Sequence, residues 1–282
     1  MPHTRDLALT GIPRSGTTLA CTLINRLPQA VALAEPLDPA SWPGDADAQL
    51  ALIGRQFAAL RERCLRTGAA PSRQRQGVIV DNFFHGGGAE PRIYEAEVAE
   101  VAIGKPLRRD FLLAVKQNAA FLALLPRLSE RLRVVAIVRH PLAVLVSWSG
   151  VDLPVAQGRL PMAERMDAVL RAALDGEADV QRRQLHVLEW CYRQLGRARR
   201  RAAVLTYESM IASRGSTLLA ACGLAADASR DLPTDWVRPP AAAPRERMEA
   251  YARALREMPA DAAWRTFYDD ADLHRCLDPS AS

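Results

Sequence analysis

The feature that most constrains the fold of this chain is an apolar run that leads into a glycine-bearing turn. Leu7–Ile12 has the composition of a buried strand, and Gly11 and Gly16 frame the turn at its end. The apolar residues after Thr18 recur at helical spacing, so the turn begins a helix. A helix N-terminus presents unpaired N–H groups at the positive end of its dipole, and a glycine turn lets them surround an anion. The segment therefore predicts a binding site for a phosphate or sulfonate group.

The spacing of these two glycines matches the Walker A frame of nucleotide-binding proteins, with one departure. Thr17 stands where an ATPase or a kinase has its lysine, which weakens the interpretation as an ATP-hydrolysing enzyme. Arg14 adds a guanidinium to the turn, and Thr17 and Thr18 add hydroxyl donors. The alternative is a tight strand-to-helix turn that binds no ligand.

Short apolar runs alternate with longer amphipathic ones along the rest of the chain. This pattern is typical of helices packed on both faces of a mostly parallel sheet. Leu185, Leu188, Tyr192 and Leu195 recur at steps of three and four and predict a helix over Val180–Arg199. The predicted strands are Leu7–Ile12, Ala30–Ala34, Val78–Asp81, Phe111–Lys116, Arg133–Val138 and Ala203–Thr206.

Segments rich in proline, glycine and polar residues separate these elements and are predicted to be surface loops. They are Pro36–Asp47, Ala69–Gln76, Phe83–Pro91 and Asp152–Pro161, and Arg238–Pro244 is predicted to be an extended segment. We therefore predict an α/β fold, a P-loop NTPase-like parallel sheet flanked by helices on both faces. One domain is expected to span residues 1–282, with loop insertions around 36–110 and 150–178.

A second motif follows the strand predicted at Arg133–Val138. Arg139, His140 and Pro141 come directly after it, and Ser147 lies eight residues beyond the arginine. Proline suits the first turn of a helix, which places Ser147 about two turns along that helix. Because ligands of open α/β sheets bind at the carboxyl ends of the strands, Arg139 is expected to point toward the glycine turn. An arginine and a hydroxyl can together bind a second phosphate, whereas the alternative is an ordinary surface arginine.

The two motifs together resemble those of the sulfotransferase family, which transfers a sulfuryl group from 3′-phosphoadenosine 5′-phosphosulfate (PAPS) and releases 3′-phosphoadenosine 5′-phosphate (PAP). The resemblance covers residues 5–35 and 110–210. It implies that Arg139 and Ser147 hold the 3′-phosphate, although His140 replaces the aspartate of the family's Arg-Asp-Pro motif. The residues implied to hold the 5′-phosphosulfate are Arg14, Ser15, Gly16, Thr17 and Thr18.

The resemblance also implies which groups carry the reaction. Asn118 stands where cytosolic members have a base histidine two residues after a strand lysine, so that base is missing. Glu35 matches the base glutamate of the protein-tyrosine sulfotransferases instead. Because Glu35 follows an apolar run, we expect a partly desolvated carboxylate with a raised pKa, the alternative being an exposed loop glutamate. The resemblance implies that Lys116, together with Arg14, stabilises negative charge on the transferring sulfonate or on the bridging oxygen. The alternative for Lys116 is a solvated lysine at a strand end.

Further positions resemble the family less specifically. Tyr207 and Glu208 match a Tyr-Glu pair in which the tyrosine lies near the nucleotide, and core packing accounts for Tyr207 equally well. Arg238, Arg245 and Arg247 are C-terminal candidates for the 3′-phosphate, without a clear match to the family's late glycine-rich loop.

The segment His85–Gly88 is similar to the oxyanion loop of α/β-hydrolases. No G-x-S-x-G motif occurs in the chain, so the hydrolase interpretation lacks its nucleophile. We interpret the segment as a loop near the acceptor site, with His85 as the second candidate for the base.

Charge and cysteine content limit the partners. The chain has 37 Lys and Arg residues against 32 acidic ones, a net charge of +5 that suits a polyanionic small molecule. No long basic run predicts nucleic-acid binding, and no apolar run predicts an integral membrane segment or a signal peptide. The five cysteines match neither metal-site nor disulfide spacing, which predicts reduced, mostly buried thiols and no metal. We expect a cytoplasmic protein, and the abundant alanine and arginine indicate a bacterial one.

The sequence thus predicts a PAPS-dependent sulfotransferase whose acceptor is a hydroxyl of a peptide tyrosine, a saccharide or a natural product. Two alternatives stay open. A P-loop nucleotide kinase or NTPase would need a Walker lysine and a Walker B acid. A non-catalytic nucleotide-binding module would tolerate the loss of Glu35 and Lys116.

Overall fold

The structure is a computed structural model that describes residues 3–85, 92–225 and 244–277. The strands are β1 (Asp6–Gly11), β2 (Ala30–Ala34), β3 (Ala69–Gln74), β4 (Phe84–His85), β5 (Ile93–Tyr94), β6 (Glu97–Ala102), β7 (Leu112–Lys116), β8 (Arg133–Val138) and β9 (Ala203–Thr206). The helices are α1 (Thr17–Asn25), α2 (Ala46–Thr67), α3 (Asn118–Leu128), α4 (Pro141–Ser149), α5 (Pro161–Met166), α6 (Ala168–Asp175), α7 (Val180–Ala198), α8 (Tyr207–Ala212), α9 (Ser216–Ala221), α10 (Arg245–Glu257) and α11 (Asp270–Leu277).

The central sheet has five strands in the order β2-β7-β1-β8-β9, and every pair in it is parallel. Its strands are largely apolar because helices cover both faces. Ala8 of β1 packs into the core formed with α2, α3, α4 and α7, whereas Leu7 and Leu9 pack into the core formed with α1, α8 and α9. The predicted α/β parallel sheet with helices on both faces is confirmed.

The sheet leaves a crevice at the carboxyl ends of β1 and β8. From β1 the chain crosses through α1 to β2 on one side, and from β8 it crosses to β9 on the other. Adjacent strands whose connections leave in opposite directions open such a crevice. The segments that follow the five parallel strands therefore lie together at one edge of the sheet.

The predicted strand bounds are confirmed for Ala30–Ala34, Arg133–Val138 and Ala203–Thr206. The strand predicted at Val78–Asp81 is wrong. Within that segment Val78 forms only an isolated bridge with Arg75, and Val78 is more than half exposed. Ile79 and Val80 pack partly buried against the core, but no strand of the described residues pairs with them.

The loop predicted at Ala69–Gln76 is also wrong, because most of it is β3, which pairs antiparallel with β6. Pro71 and the polar residues of this strand concealed it, since Pro is unusual in strands away from edges. Ser72 is buried, and its hydroxyl accepts a hydrogen bond from the backbone N–H of Ala34 at 2.9 Å. This contact brings the β3–β6 ribbon to the end of β2, beside Glu35.

A buried ion pair connects α2 to the sheet. The Nη2 atom of Arg61 lies 2.6 Å from the Oδ1 atom of Asp6 in β1, and both side chains are at least nine-tenths buried. The other guanidinium nitrogen donates to the backbone carbonyls of Arg109 and Phe111, and the guanidinium stacks on the Phe111 ring. These contacts satisfy the charge of Arg61 inside the protein.

The cysteines are free thiols, and all but Cys276 are buried, as predicted. Burial raises the pKa of the Cys21 thiol to about 12, so this residue is an inert part of the core. In the described ranges, no helix is both long enough and apolar enough to cross a membrane.

Candidate functional site

A cleft of about 960 Å³ opens at the carboxyl edge of the sheet. Each parallel strand is followed, or ended, by a polar residue or a turn that lines this cleft. The contributing positions are the turn after β1 and the residues Glu35, Lys116, Arg139 and Tyr207. Side chains that are distant in sequence meet here because parallel strands end at the same edge.

The turn after β1 packs closely against β8 and β9, and its two glycines permit this approach. A Cβ atom at Gly11 would lie 2.3 Å from the carbonyl oxygen of Ile137, and one at Gly16 would lie 2.5 Å from the Tyr207 ring. Gly16 also has a φ of +92°, in the left-handed region that favours glycine. Tyr207 thus forms one wall of the cleft beside the turn.

The helix that begins at this turn has no side-chain cap. The N–H groups of a helix's first turn have no acceptor within the helix, and the first residues of α1 line the cleft. Thr17 and Thr18 both line the cleft, although Thr17 is largely buried. An uncapped helix N-terminus beside two hydroxyl groups is an anion-binding arrangement.

Ser15 does not take the predicted position. Its side chain is fully buried, and its hydroxyl donates to the carbonyl of Ile137 at 2.8 Å. Its backbone N–H donates to the carbonyl of Ile12 at 3.0 Å. Both donors of Ser15 are therefore used to fold the turn onto β8, and Ser15 does not line the cleft.

Arg14 occupies the centre of a cationic group. Its φ of +73° is in the left-handed region, an unusual conformation for a residue with a side chain. Its guanidinium lies 4.2 Å from the centre of the Phe84 ring. Burial, with the like charges of Arg92 and Arg139, lowers the pKa of Arg14 to about 10, so it stays a cation at neutral pH. An anion among these arginines would relieve their repulsion.

Arg139 and Ser147 both contact Arg14. The Nη1 atom of Arg139 donates to the carbonyl of Arg14 at 3.2 Å, and its guanidinium lies 4.5 Å from the centre of the Tyr207 ring. The Nε atom of Arg14 donates to the Ser147 hydroxyl at 3.3 Å. The two predicted phosphate motifs therefore line one continuous cleft, with Tyr207 between them.

Glu35 and Lys116 form an ion pair in the same cleft. Lys116 Nζ lies 2.6 Å from Glu35 Oε1, and the lysine side chain is only 4% exposed. Arg73 Nε lies 2.8 Å from Glu35 Oε2. Burial disfavours the Glu35 carboxylate, but the two cations outweigh it and hold the pKa below its ordinary value. The predicted raised pKa is therefore wrong, because Lys116 and, to a smaller extent, Arg73 stabilise the charged carboxylate against the effect of burial.

The ribbons add cleft residues that sequence reasoning missed. They are Arg73, Arg75, Arg92 and Tyr94. Arginines in a polar segment resemble an ordinary solvated surface. The pairing of β3 with β6 and its contact with β2 bring Arg73 and Arg75 to the cleft. Arg92 and Tyr94 lie at β5, which pairs antiparallel with β4 in a second ribbon. The alternation of Arg73 and Arg75 at a two-residue step was the one signal available in the sequence.

Several predicted candidates do not take part in this site or cannot be placed. Arg245 and Arg247 begin α10, and neither lines the cleft. Arg238 and the side chain of His85 lie outside the described residues. Asn118 does line the cleft, and its buried Oδ1 atom has no hydrogen-bond partner.

No protein-family model matches the chain, and no curated protein matches it either. Across the described part of the chain, no group of histidine, cysteine, aspartate or glutamate side chains is arranged to hold a metal ion.

Replacing Arg73 by Gln is expected to raise the pKa of Glu35, because the substitution removes one of the two cations that stabilise its carboxylate. The pH at which the Glu35 Cδ signal titrates in carbon-13 NMR measures this, and the variant Glu35→Gln identifies the signal. The lowered pKa stabilises the fold fully above the ordinary glutamate pKa of about 4.3, and this stabilisation is lost as the pH falls through the lowered value.

The matched control is Arg75→Gln, which removes the same charge from the same ribbon without breaking an ion pair to Glu35. An equally large shift in that variant would mean that the pKa of Glu35 responds to the total charge of the cleft and not to its contact with Arg73.

Proposed function

We propose that this protein is a PAPS-dependent sulfotransferase that moves a sulfuryl group to a hydroxyl acceptor. The observation that carries the proposal is the convergence, in one cleft, of two anion-binding arrangements with the Glu35–Lys116 pair. Arg14 and the first turn of α1 form the first arrangement, and Arg139 with Ser147 forms the second. PAPS has two anionic groups on one nucleoside and would supply an activated sulfuryl group when bound.

The chemistry of the cleft fits such a donor. The uncapped N-terminus of α1 offers backbone donors to the 5′-phosphosulfate, and the guanidinium of Arg14 neutralises its charge. Arg139 can form two parallel charge-assisted hydrogen bonds with the 3′-phosphate. The Tyr207 ring, which contacts Gly16 and Arg139, offers an apolar surface between the two anionic groups.

Glu35 is the proposed base. It is ionised at neutral pH because its pKa is lowered, so it is ready to accept a proton. In the proposed transfer step, the acceptor oxygen forms a bond to sulfur and the bond from sulfur to the 5′-phosphate oxygen breaks. The proton of the acceptor hydroxyl passes to the Glu35 carboxylate. PAP is the leaving group, and the sulfate ester is the product.

Lys116 connects the base to the transferring group. Its ammonium is paired with Glu35 in the cleft, and a negatively charged sulfonate competes for it. Drawing Lys116 away from Glu35 removes the largest of the interactions that lower its pKa, so the carboxylate becomes a stronger base when the donor is in place. This coupling reconciles the lowered pKa of Glu35 with a role as base.

The strand ends beside β1 argue against a kinase. A kinase or NTPase of this fold has an acid near the nucleotide and a lysine in the glycine turn. Here β7 ends in Lys116, Arg139 follows β8, and the turn has Thr17 in place of the lysine. The retained Glu35–Lys116 pair likewise favours catalysis over a binding module.

The free thiols support the cytoplasm as the compartment.

Calorimetric titration with PAP, ADP and ATP tests the proposal. We expect PAP to bind the wild type more tightly than ATP, and Arg139→Ala to weaken PAP binding by at least about tenfold, or 1.4 kcal/mol. The matched control is Arg131→Ala, which removes an exposed arginine at the opposite end of β8 and should leave PAP binding unchanged.

Equal or tighter binding of ATP, indifferent to Arg139→Ala, would overturn the proposal in favour of a kinase or NTPase. Tight PAP binding without transfer from PAPS to any phenol, sugar or peptide hydroxyl would favour a non-catalytic nucleotide-binding module.

A further inference from the structure

The backbone around Arg139 is held from behind the cleft by a set of buried side chains. The hydroxyl of Tyr192, in the middle of α7, donates to the carbonyl oxygen of Arg139. The N–H of the next residue, His140, donates to the Oε1 atom of Glu208 at 3.1 Å. The backbone groups on both sides of the peptide bond after Arg139 are thus bound by side chains from α7 and α8.

Tyr268 completes this set from the C-terminal part of the chain. Its hydroxyl donates to the Oε2 atom of Glu208 at 2.7 Å. Its ring packs edge-on against the His140 ring, with the ring centres 5.2 Å apart, and also against the Tyr192 ring at 6.5 Å. Tyr268 is 7% exposed and Tyr192 is fully buried. We call Tyr192, Glu208 and Tyr268 the Arg139 support.

The protonation states of the side chains around Arg139 match the hydrogen bonds that they make. Burial, together with the nearby Glu208 carboxylate, raises the pKa of both tyrosines, so both remain protonated donors. Burial lowers the pKa of His140 to about 4, so its ring is neutral. Neither ring nitrogen of His140 has a hydrogen-bond partner, which means that this side chain contributes packing.

The three support residues do not line the cleft, so they can act on a nucleotide only through Arg139 and the start of α4. Among the described residues, the Arg139 side chain contacts the Arg14 carbonyl and the Tyr207 ring on the cleft side. His140 is the N-cap residue of α4, but its side chain makes no capping hydrogen bond. The bond from its N–H to Glu208 therefore helps to fix the start of α4, and with it the position of Ser147. A fixed backbone at this point fixes where the Arg139 side chain leaves the chain, and its contacts with the Arg14 carbonyl and the Tyr207 ring then hold the guanidinium.

We propose that Tyr192, Glu208 and Tyr268 are positioning residues for Arg139 and therefore determine the selectivity of the cleft for a nucleotide with a 3′-phosphate. This inference rests on the proposed function, because it assigns Arg139 to that phosphate. It also gives the C-terminal segment a part in the site, since Tyr268 follows the last 3₁₀ turn, Ala263–Thr266, and precedes α11.

Calorimetry with two ligands, PAP and 5′-AMP, tests the inference, because 5′-AMP differs from PAP only in lacking the 3′-phosphate. In Tyr268→Phe the ring stays and one hydroxyl is lost, and we expect PAP binding to weaken about fivefold, the value of one net hydrogen bond, while 5′-AMP binding stays unchanged. Glu208→Gln should act in the same direction. In an Arg139→Ala background, Tyr268→Phe should have no further effect on PAP binding.

The matched control is Tyr251→Phe. Tyr251 is also a buried C-terminal tyrosine, and its hydroxyl donates to Gln184 Oε1 at 2.7 Å, but it has no contact with Arg139 or His140. Unchanged PAP binding in both Tyr268→Phe and Glu208→Gln would overturn the inference, as would equal weakening of PAP and 5′-AMP or an equal effect of Tyr251→Phe. If the wild type does not distinguish PAP from 5′-AMP, the proposed function fails first, and the positioning role fails with it.

Discussion

Replacing Glu35 by Gln is expected to lower the rate of sulfuryl transfer by about 10²–10⁴-fold, the usual contribution of a general base. Glutamine keeps the size of the side chain and can still accept a hydrogen bond from Lys116, but it cannot take a proton from the acceptor at neutral pH. PAP binding should change little, because Arg139, Ser147 and the first turn of α1 are intact. Acceptor-dependent formation of PAP from PAPS measures the rate, and calorimetry measures the binding.

The control for this prediction is Glu100→Gln. Glu100 lies in β6 of the adjacent ribbon and forms an exposed ion pair with Arg63, so the substitution alters charge without touching the cleft. Full transfer activity in Glu35→Gln would show that another group is the base, and His85→Gln would then be the variant to test. Loss of PAP binding together with activity would mean that Glu35 supports the cleft structurally.

Replacing Asp6 by Ala is expected to lower the free energy of unfolding by about 3–5 kcal/mol, because it leaves the buried guanidinium of Arg61 without its partner charge. Asp6 is 2% exposed and accepts two hydrogen bonds from Arg61, at 3.0 Å from Nε and 2.6 Å from Nη2. Urea denaturation monitored by far-ultraviolet circular dichroism measures the change.

The control is Asp47→Ala, which breaks an exposed ion pair with Arg127 and should cost no more than about 1 kcal/mol. The double variant Asp6→Leu with Arg61→Met should be less destabilised than Asp6→Ala alone, because it removes both buried charges. A loss in Asp6→Ala no larger than in Asp47→Ala would contradict the prediction and would mean that water reaches the Arg61 guanidinium.

The sequence alone was sufficient for the sheet and for much of the cleft. Parallel strands covered on both faces are largely apolar, so β2 and β8 could be predicted from local composition. The edge strand β9 is only partly buried, but its short apolar run predicted it as well. The order of runs in the chain then predicts that Arg139, at the end of its strand, points toward the glycine turn. Glu35 was assigned to the same site by its resemblance to the base of the protein-tyrosine sulfotransferases.

The ribbon formed by β3 and β6 required the tertiary structure. It is partly exposed and contains Pro71, so neither apolar content nor clean alternation marks it. Its place is set by the bond between Ser72 and Ala34, a contact across 38 positions of sequence that no local pattern encodes. That contact delivers Arg73 to Glu35, where it adds to the larger effect of Lys116 in lowering the Glu35 pKa.

The remaining differences have the same cause. Ser15 stands at a position where a phosphate-binding hydroxyl is expected, but β8 packs against the turn and the Ser15 hydroxyl donates to the carbonyl of Ile137. Tyr268 and Glu208 meet behind Arg139 only because the C-terminal segment packs there. The sequence by itself determined which residues end the strands and at which edge they lie, because those properties follow from apolar runs and their order. The tertiary structure decided which charges surround Glu35 and what holds Arg139, because electrostatic and hydrogen-bond partners depend on distances between remote segments.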